Sequence, residues 1–308
     1  MRILAAGLVV SASALLTSAQ EPTRITSASN VRLRASPADN AAVVATLPLG
    51  TDLFRLDDGA ESEAWTRVRT ISGQDGWLPS RLTRSFTATR RLDVIEAIVK
   101  ERVARTGDGF AARAELVDLI ERAQKETQDP EVAGRFALYW VRAMTVALKA
   151  VPSQRGKQPP CSDWLAARAD EVVYSDICAF WTIRSNYLWR LHDEHARSSS
   201  ADELAWAAVL NGLPGECEGF IPCHLSRLNR LEGEYLRRSA LGKHVDEAVA
   251  RVANVTSWIA KPGFFNPATD CGELVQSLDP LRAALATTRA DGLQSVLGQL
   301  DRWRAACR

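Results

Sequence analysis

Hydrophobic and polar positions along this chain change period once. Between residues 24 and 85 apolar side chains alternate with polar ones in short runs. The run "NVRLR" sets Val31 and Leu33 against Arg32 and Arg34, the period-two pattern of a half-buried strand. The runs "AAVVATLPLGTDLFRL", "WTRVRTI" and "WLPSRL" continue it, separated by "SPADN", "DDGAESEA" and "SGQDG". Gly, Pro, Asn and Asp at the separators are turn residues. The pattern predicts five strands and a small β-barrel.

From Thr89 the spacing becomes three and four. Leu92, Ile95, Ile98, Val99 and Val103 line one face of a helix that stops near Gly107. Asp108 is placed to cap a second helix carrying Leu116, Leu119, Ile120 and Ala123. Asp129 and Pro130 read as N-cap and first residue of a third, with Pro152 past its end. The run "VPSQRGKQPPC" is a loop or linker, and Tyr174 to Arg197 reads as one long aromatic-rich helix. "SADE" at Ser200–Glu203 is a capping box for a helix that ends near Gly212. Further helices are predicted over 223–239, 243–260, 271–278, 281–289 and 291–306, with Asp270 and Asp279-Pro280 as start signals. The expected fold class is α+β with two domains: a five-stranded barrel over 24–85 and an all-α domain of seven to nine helices in antiparallel hairpins over 89–308.

Composition narrows the function. The chain has 308 residues with 38 basic and 37 acidic side chains, and no basic stripe of the kind that binds nucleic acid is present. The opening "MRILAAGLVVSASALLTSAQEP" has Arg2, an apolar core from Ile3 to Leu16, and small residues before Gln20. Residues 1–19 are therefore expected to be a secretory signal peptide. No Cys stands directly after that core, so no lipid anchor on a mature N-terminal Cys is expected. No later run reaches the ~18 apolar residues of a membrane span, so a soluble periplasmic or secreted protein is expected. In an oxidising compartment the six cysteines, Cys161, Cys178, Cys217, Cys223, Cys271 and Cys307, favour disulfides over zinc. Proximity in sequence pairs Cys217 with Cys223 and Cys271 with Cys307, leaving Cys161 for Cys178.

The ordered set Val31, Leu33, Pro37, Leu47, Gly50, Trp65, Val68, Gly76 and Trp77 resembles the bacterial SH3 (SH3b) family. The resemblance covers the N-terminal part only. It implies an SH3-like barrel in an exported envelope protein, recognition of peptidoglycan or a protein partner, and no catalysis by the barrel. The groove of such a domain lies between the segments at 36–42 and 57–64. The second holds Asp57, Asp58, Glu61 and Glu63 without a basic residue, a candidate contact for an ammonium group, with Trp65 and Trp77 as its floor or as core. Leu231–Val252 resembles the helix-turn-helix of tetratricopeptide-type envelope proteins, without a second copy at fixed period.

Other candidate chemistry is thin. His192 and His195 in "WRLHDEHA" are three apart, whereas zincin chemistry needs four with Glu between. "CEGFIPCH" offers Cys217, Cys223 and His224, more naturally a disulfide beside a His. No G-x-S-x-G elbow exists, and no Cys stands beside a His at a strand-to-helix junction. A glycosidase-type pair would need a Glu in an apolar cleft, for which Glu203 and Glu216 are unmarked candidates. No metal or cofactor is expected. The expected function is a non-enzymatic exported adaptor binding peptidoglycan or an envelope protein. The alternatives are a cell-wall hydrolase with an unrecognised helical catalytic domain, or a purely structural role.

Overall fold

The structure, a computed structural model, describes residues 21–56, 64–152, 158–177, 179–261 and 267–308. The chain divides into two compact units, one ending at Val94 and one spanning Ile95–Arg308.

The first unit is built on seven strands: β1 (Arg24–Thr26), β2 (Val31–Arg34), β3 (Val43–Leu47), β4 (Asp52–Arg55), β5 (Trp65–Thr70), β6 (Asp75–Pro79) and β7 (Thr83–Ser85). They form one sheet in the order β3-β2-β6-β5-β4-β1-β7, with every pairing antiparallel. The five expected strands are present, but the sheet has seven, with edges at β3 and β7. β1 and β7 are three residues each, too short for alternation to reveal them. In β2 the pattern is realised, with Val31 and Leu33 buried and Arg32 exposed. Val31, Leu33, Leu47, Leu53, Val68 and Leu78 form the core of the unit, each contributing roughly 1.5–3 kcal/mol on burial. Where β2 meets β6, a Cβ on Gly76 would stand 2.6 Å from Leu33 Cγ and 2.8 Å from the Arg34 carbonyl oxygen. Only glycine allows that approach. After β7 the chain is tied back by Arg91, whose guanidinium bonds Asp52 at 2.8 Å.

The second unit is mainly helical. Its helices begin with α1 (Arg91–Val103), which crosses the division, then α2 (Phe110–Glu126), α3 (Pro130–Lys149) and α4 (Cys161–Ala166). A hairpin of β8 (Val172–Ser175) and β9 (Phe180–Ile183) follows. The rest are α5 (Ser185–Glu194), α6 (Ala201–Asn211), α7 (Ile221–Arg230), α8 (Glu232–Arg238), α9 (Val245–Ile259), α10 (Pro267–Ala286) and α11 (Leu293–Ala306). Asp129 caps α3 as expected, its Oδ1 accepting the Glu131 and Val132 N–H groups at 2.8 and 3.4 Å. Asp108 does not cap α2. Its carboxylate lies 3.2 Å from the buried Arg102 guanidinium, and Gly109 holds the N-cap position.

Three expectations for this unit are corrected. It is not all-α, because the segment read as one helix from Tyr174 to Arg197 opens with the β8–β9 hairpin and becomes helical only at Ser185. The described residues hold eleven α-helices rather than seven to nine. Asp279-Pro280 does not start a helix, because α10 runs straight through Pro280. Leu274, Leu278, Leu281 and Leu285 are fully buried along that helix, and this burial outweighs the ~3 kcal/mol that an internal proline costs. The bridges Cys217–Cys223 and Cys271–Cys307 are formed. The third expected bridge is not, since Cys161 is a free thiol, 6% exposed, and Cys178 lies outside the described residues. Among the described residues no helix is long and apolar enough to cross a membrane.

Candidate functional site

The alternation that buries one face of the first sheet turns the other face outward. Three cross-strand rows occupy it. Arg34 of β2 pairs with Trp77 of β6, which pairs with Arg67 of β5. Trp65 pairs with Pro79. Phe54 of β4 pairs with Arg69, which pairs with Asp75. Trp65 and Trp77 are thus diagonal neighbours on adjacent antiparallel strands, within reach of one another. Both are half-buried and are not among the residues of the core cluster. Arg34 donates to the Ala41 carbonyl at 2.8 Å, fastening the segment at 36–42 beside Trp77. Arg69 grips Asp75 with two hydrogen bonds of 2.6 and 2.9 Å, which hold that carboxyl below the usual carboxylate range. Arg32 is exposed. The face thus carries Trp65, Trp77 and Phe54 among Arg34, Arg67 and Arg69.

Asp57, Asp58, Glu61 and Glu63 lie outside the described residues, so the acidic contact expected there has no geometry. The strands that their segment joins, β4 and β5, are paired to each other directly.

In the second unit the sequence candidates scatter. His192 is buried at the end of α5 with Nδ1 3.1 Å from Asp193, while His195 caps the same helix. His224 packs edge-on to Trp258 at 5.1 Å, and burial lowers its pKa, with Arg227 acting in the same direction. His244 stacks on Trp206 at 4.8 Å. Glu203 is 3.2 Å from Lys243. Glu216 lines a cavity of about 610 Å³ that also holds Arg230 and Glu273. Among the described residues no group of His, Cys, Asp or Glu is arranged to hold a metal.

Sequence reasoning missed one cluster. Arg168, just past α4, bonds Asp118 at 2.7 Å and Glu121 at 2.8 Å, both on α2. Its guanidinium lies 4.2 Å from the Trp164 ring centroid. Trp164 and Trp140 donate their indole N–H groups to Asp118 and Glu121 at 3.2 and 3.0 Å. Beside them Glu171 has a carboxylate oxygen enclosed without a hydrogen-bond partner, 3.8 Å from Arg168 Nε. Burial, then the charge of Glu121, push the Glu171 carboxyl up to about 7. The members are separated by up to 53 positions (171 − 118), so no local spacing announces them.

Comparison with known proteins bears on the first unit. Residues 29–83 match the family model described as bacterial SH3 domain. No curated protein matches the chain. Among solved structures, a chain from a study titled "Computational Design of Self-Assembling Cyclic Protein Homooligomers" aligns at 13% identity, covering 71% of this chain and 81% of that one. Its TM-score of 0.17 is too low to carry an argument about fold.

Proposed function

We propose that the bacterial SH3 domain at residues 29–83 belongs to an exported, non-enzymatic adaptor and binds peptidoglycan or a protein of the cell envelope through its outer sheet face. One observation carries this reading: two tryptophans are kept out of the core and set among arginines on one face. Tryptophan rings offer planes for sugars and peptide groups, and Arg34 and Arg67 offer charge for the carboxylates of a stem peptide. The acidic run at 57–63 would meet the free amine of the same peptide. The signal-peptide reading of residues 1–19 and the two disulfides support export to the periplasm or beyond. The helical unit serves as an interaction surface.

The test is co-sedimentation of the full mature chain with purified peptidoglycan. The chain is expected to pellet with the wall material, and Trp65→Ala/Trp77→Ala to stay in the supernatant while keeping its far-ultraviolet spectrum. Pelleting unaffected by that double substitution would sink the assignment of this face. Neutralising Asp57, Asp58, Glu61 and Glu63 to Asn or Gln examines the acidic run separately.

A second reading, a cell-wall hydrolase, is favoured by Glu171. Its carboxyl is pushed up to about 7 by burial and then by the charge of Glu121, and a raised acid with a second carboxylate near it is the kind of pair such chemistry uses. Soluble fragments released from peptidoglycan by the chain, and lost in Glu171→Gln, would establish it. Intact peptidoglycan after prolonged incubation would remove it.

A further inference from the structure

We propose that the channel between α3 and α6 is the docking groove for an acidic amphipathic helix of a partner protein. Its walls are two helical stripes. Leu138, Val141 and Val146 come from α3, and Trp206, Ala207 and Leu210 from α6. They enclose a cavity of about 450 Å³. A second cavity of about 300 Å³, reaching Phe180 of β9, adjoins it and shares Thr145, Lys149, Leu210 and Asn211 as lining. Leu210 is 58% and Phe180 47% exposed, unusual for large apolar side chains that face one another's groove. Residues spaced at three and four on both walls make ridges into which a third helix packs.

Charge selects the occupant. Arg142 and Lys149 stand exposed on the α3 rim, and neither has an ion pair or hydrogen bond among the described residues. The acidic lining residue Glu203 is already engaged, 3.2 Å from Lys243 and 3.5 Å from His244. The groove therefore presents two unbalanced cations, seven residues apart on one helix face, roughly 10.5 Å along the axis. A single-headed anionic amphiphile satisfies one of them. A helix with two carboxylates one heptad apart, beside an apolar stripe, satisfies both.

The probe is a synthetic helical peptide of about 18 residues with Leu at i, i+3, i+7 and i+10 and two flanking Glu seven apart. Its twin carries Lys for Glu, and dodecanoate represents the amphiphile. Binding to the full chain is read by fluorescence anisotropy of the labelled peptides and by calorimetry for dodecanoate. The Glu peptide is expected to bind ~10-fold or more tightly than its twin. Arg142→Glu/Lys149→Glu should reverse that preference, and Leu210→Asp should weaken both peptides. Leu210 is exposed, so that variant keeps its fold, which circular dichroism checks. Equal affinity for the two peptides, indifference to charge reversal, or no peptide binding would overturn the proposal. Saturable dodecanoate binding lost in the double variant, without peptide binding, would also overturn it and assign the groove to an anionic amphiphile.

Discussion

Gly76 and Leu33 approach so closely across β6 and β2 that a Cβ on the glycine would lie 2.6 Å from Leu33 Cγ. The Arg34 carbonyl at 2.8 Å is backbone and cannot step aside. Gly76→Ala should therefore destabilise the SH3 domain by about 1–3 kcal/mol. Urea unfolding of the variant, followed site by site through hydrogen exchange in β2 and β6, is the check. An unchanged midpoint would mean that the two strands can separate at little cost.

Glu171 makes a prediction with a definite sign. Its carboxyl is raised in the folded chain to about 7 from an ordinary 4.5. Below the ordinary value both states are protonated, and the favourable contribution is complete. Between about 4.5 and about 7 the unfolded chain releases its proton while the folded chain keeps it, so stability falls as pH rises. Partial exposure limits the loss to on the order of 1–3 kcal/mol. Glu171→Gln cannot ionise and should lack this decline, making it the more stable protein at pH 8. Melting temperatures of both proteins across pH 4–8 decide the matter.

The two bridges close loops of different size, with separations of 6 residues for Cys217–Cys223 and 36 for Cys271–Cys307. Chain-entropy reasoning gives roughly 2 kcal/mol for the first and roughly 4 kcal/mol for the second. Replacing each pair by serine should reproduce that order in chemical denaturation. Equal losses would mean that native-state contacts, not loop closure, set the values.

Cys161 should behave as a shielded thiol. Alkylation of the folded, non-reduced chain should leave it untouched, and unfolding in denaturant without reductant should expose it to labelling, as peptide mapping would show. Complete resistance in the unfolded state would instead place Cys161 in a disulfide.

Much of the first unit was legible because its signals are local. Val31 and Leu33 alternate with arginines, and the turn residues between strands need no distant partner to be read. Asp129-Pro130 was readable for the same reason, since a cap acts within one turn. The β8–β9 hairpin was not legible: "VVYS" and "FWTI" are four residues each, and their aromatics also suit a buried helix. Pro280 misled because burial of neighbouring leucines, a tertiary effect, decided against the local signal. Trp65 and Trp77 were placed correctly in the domain, yet only the strand register assigned them to its outer face. The Arg168–Glu171 cluster depended on α2 packing against the segment after α4, which no spacing records.

The Cys271–Cys307 bridge clasps the first half of α10 to the residue after α11. A protease that cuts the chain between Ala286 and Leu293 would therefore release nothing. Both pieces would travel as a single band under non-reducing electrophoresis and part only once a thiol reductant is added.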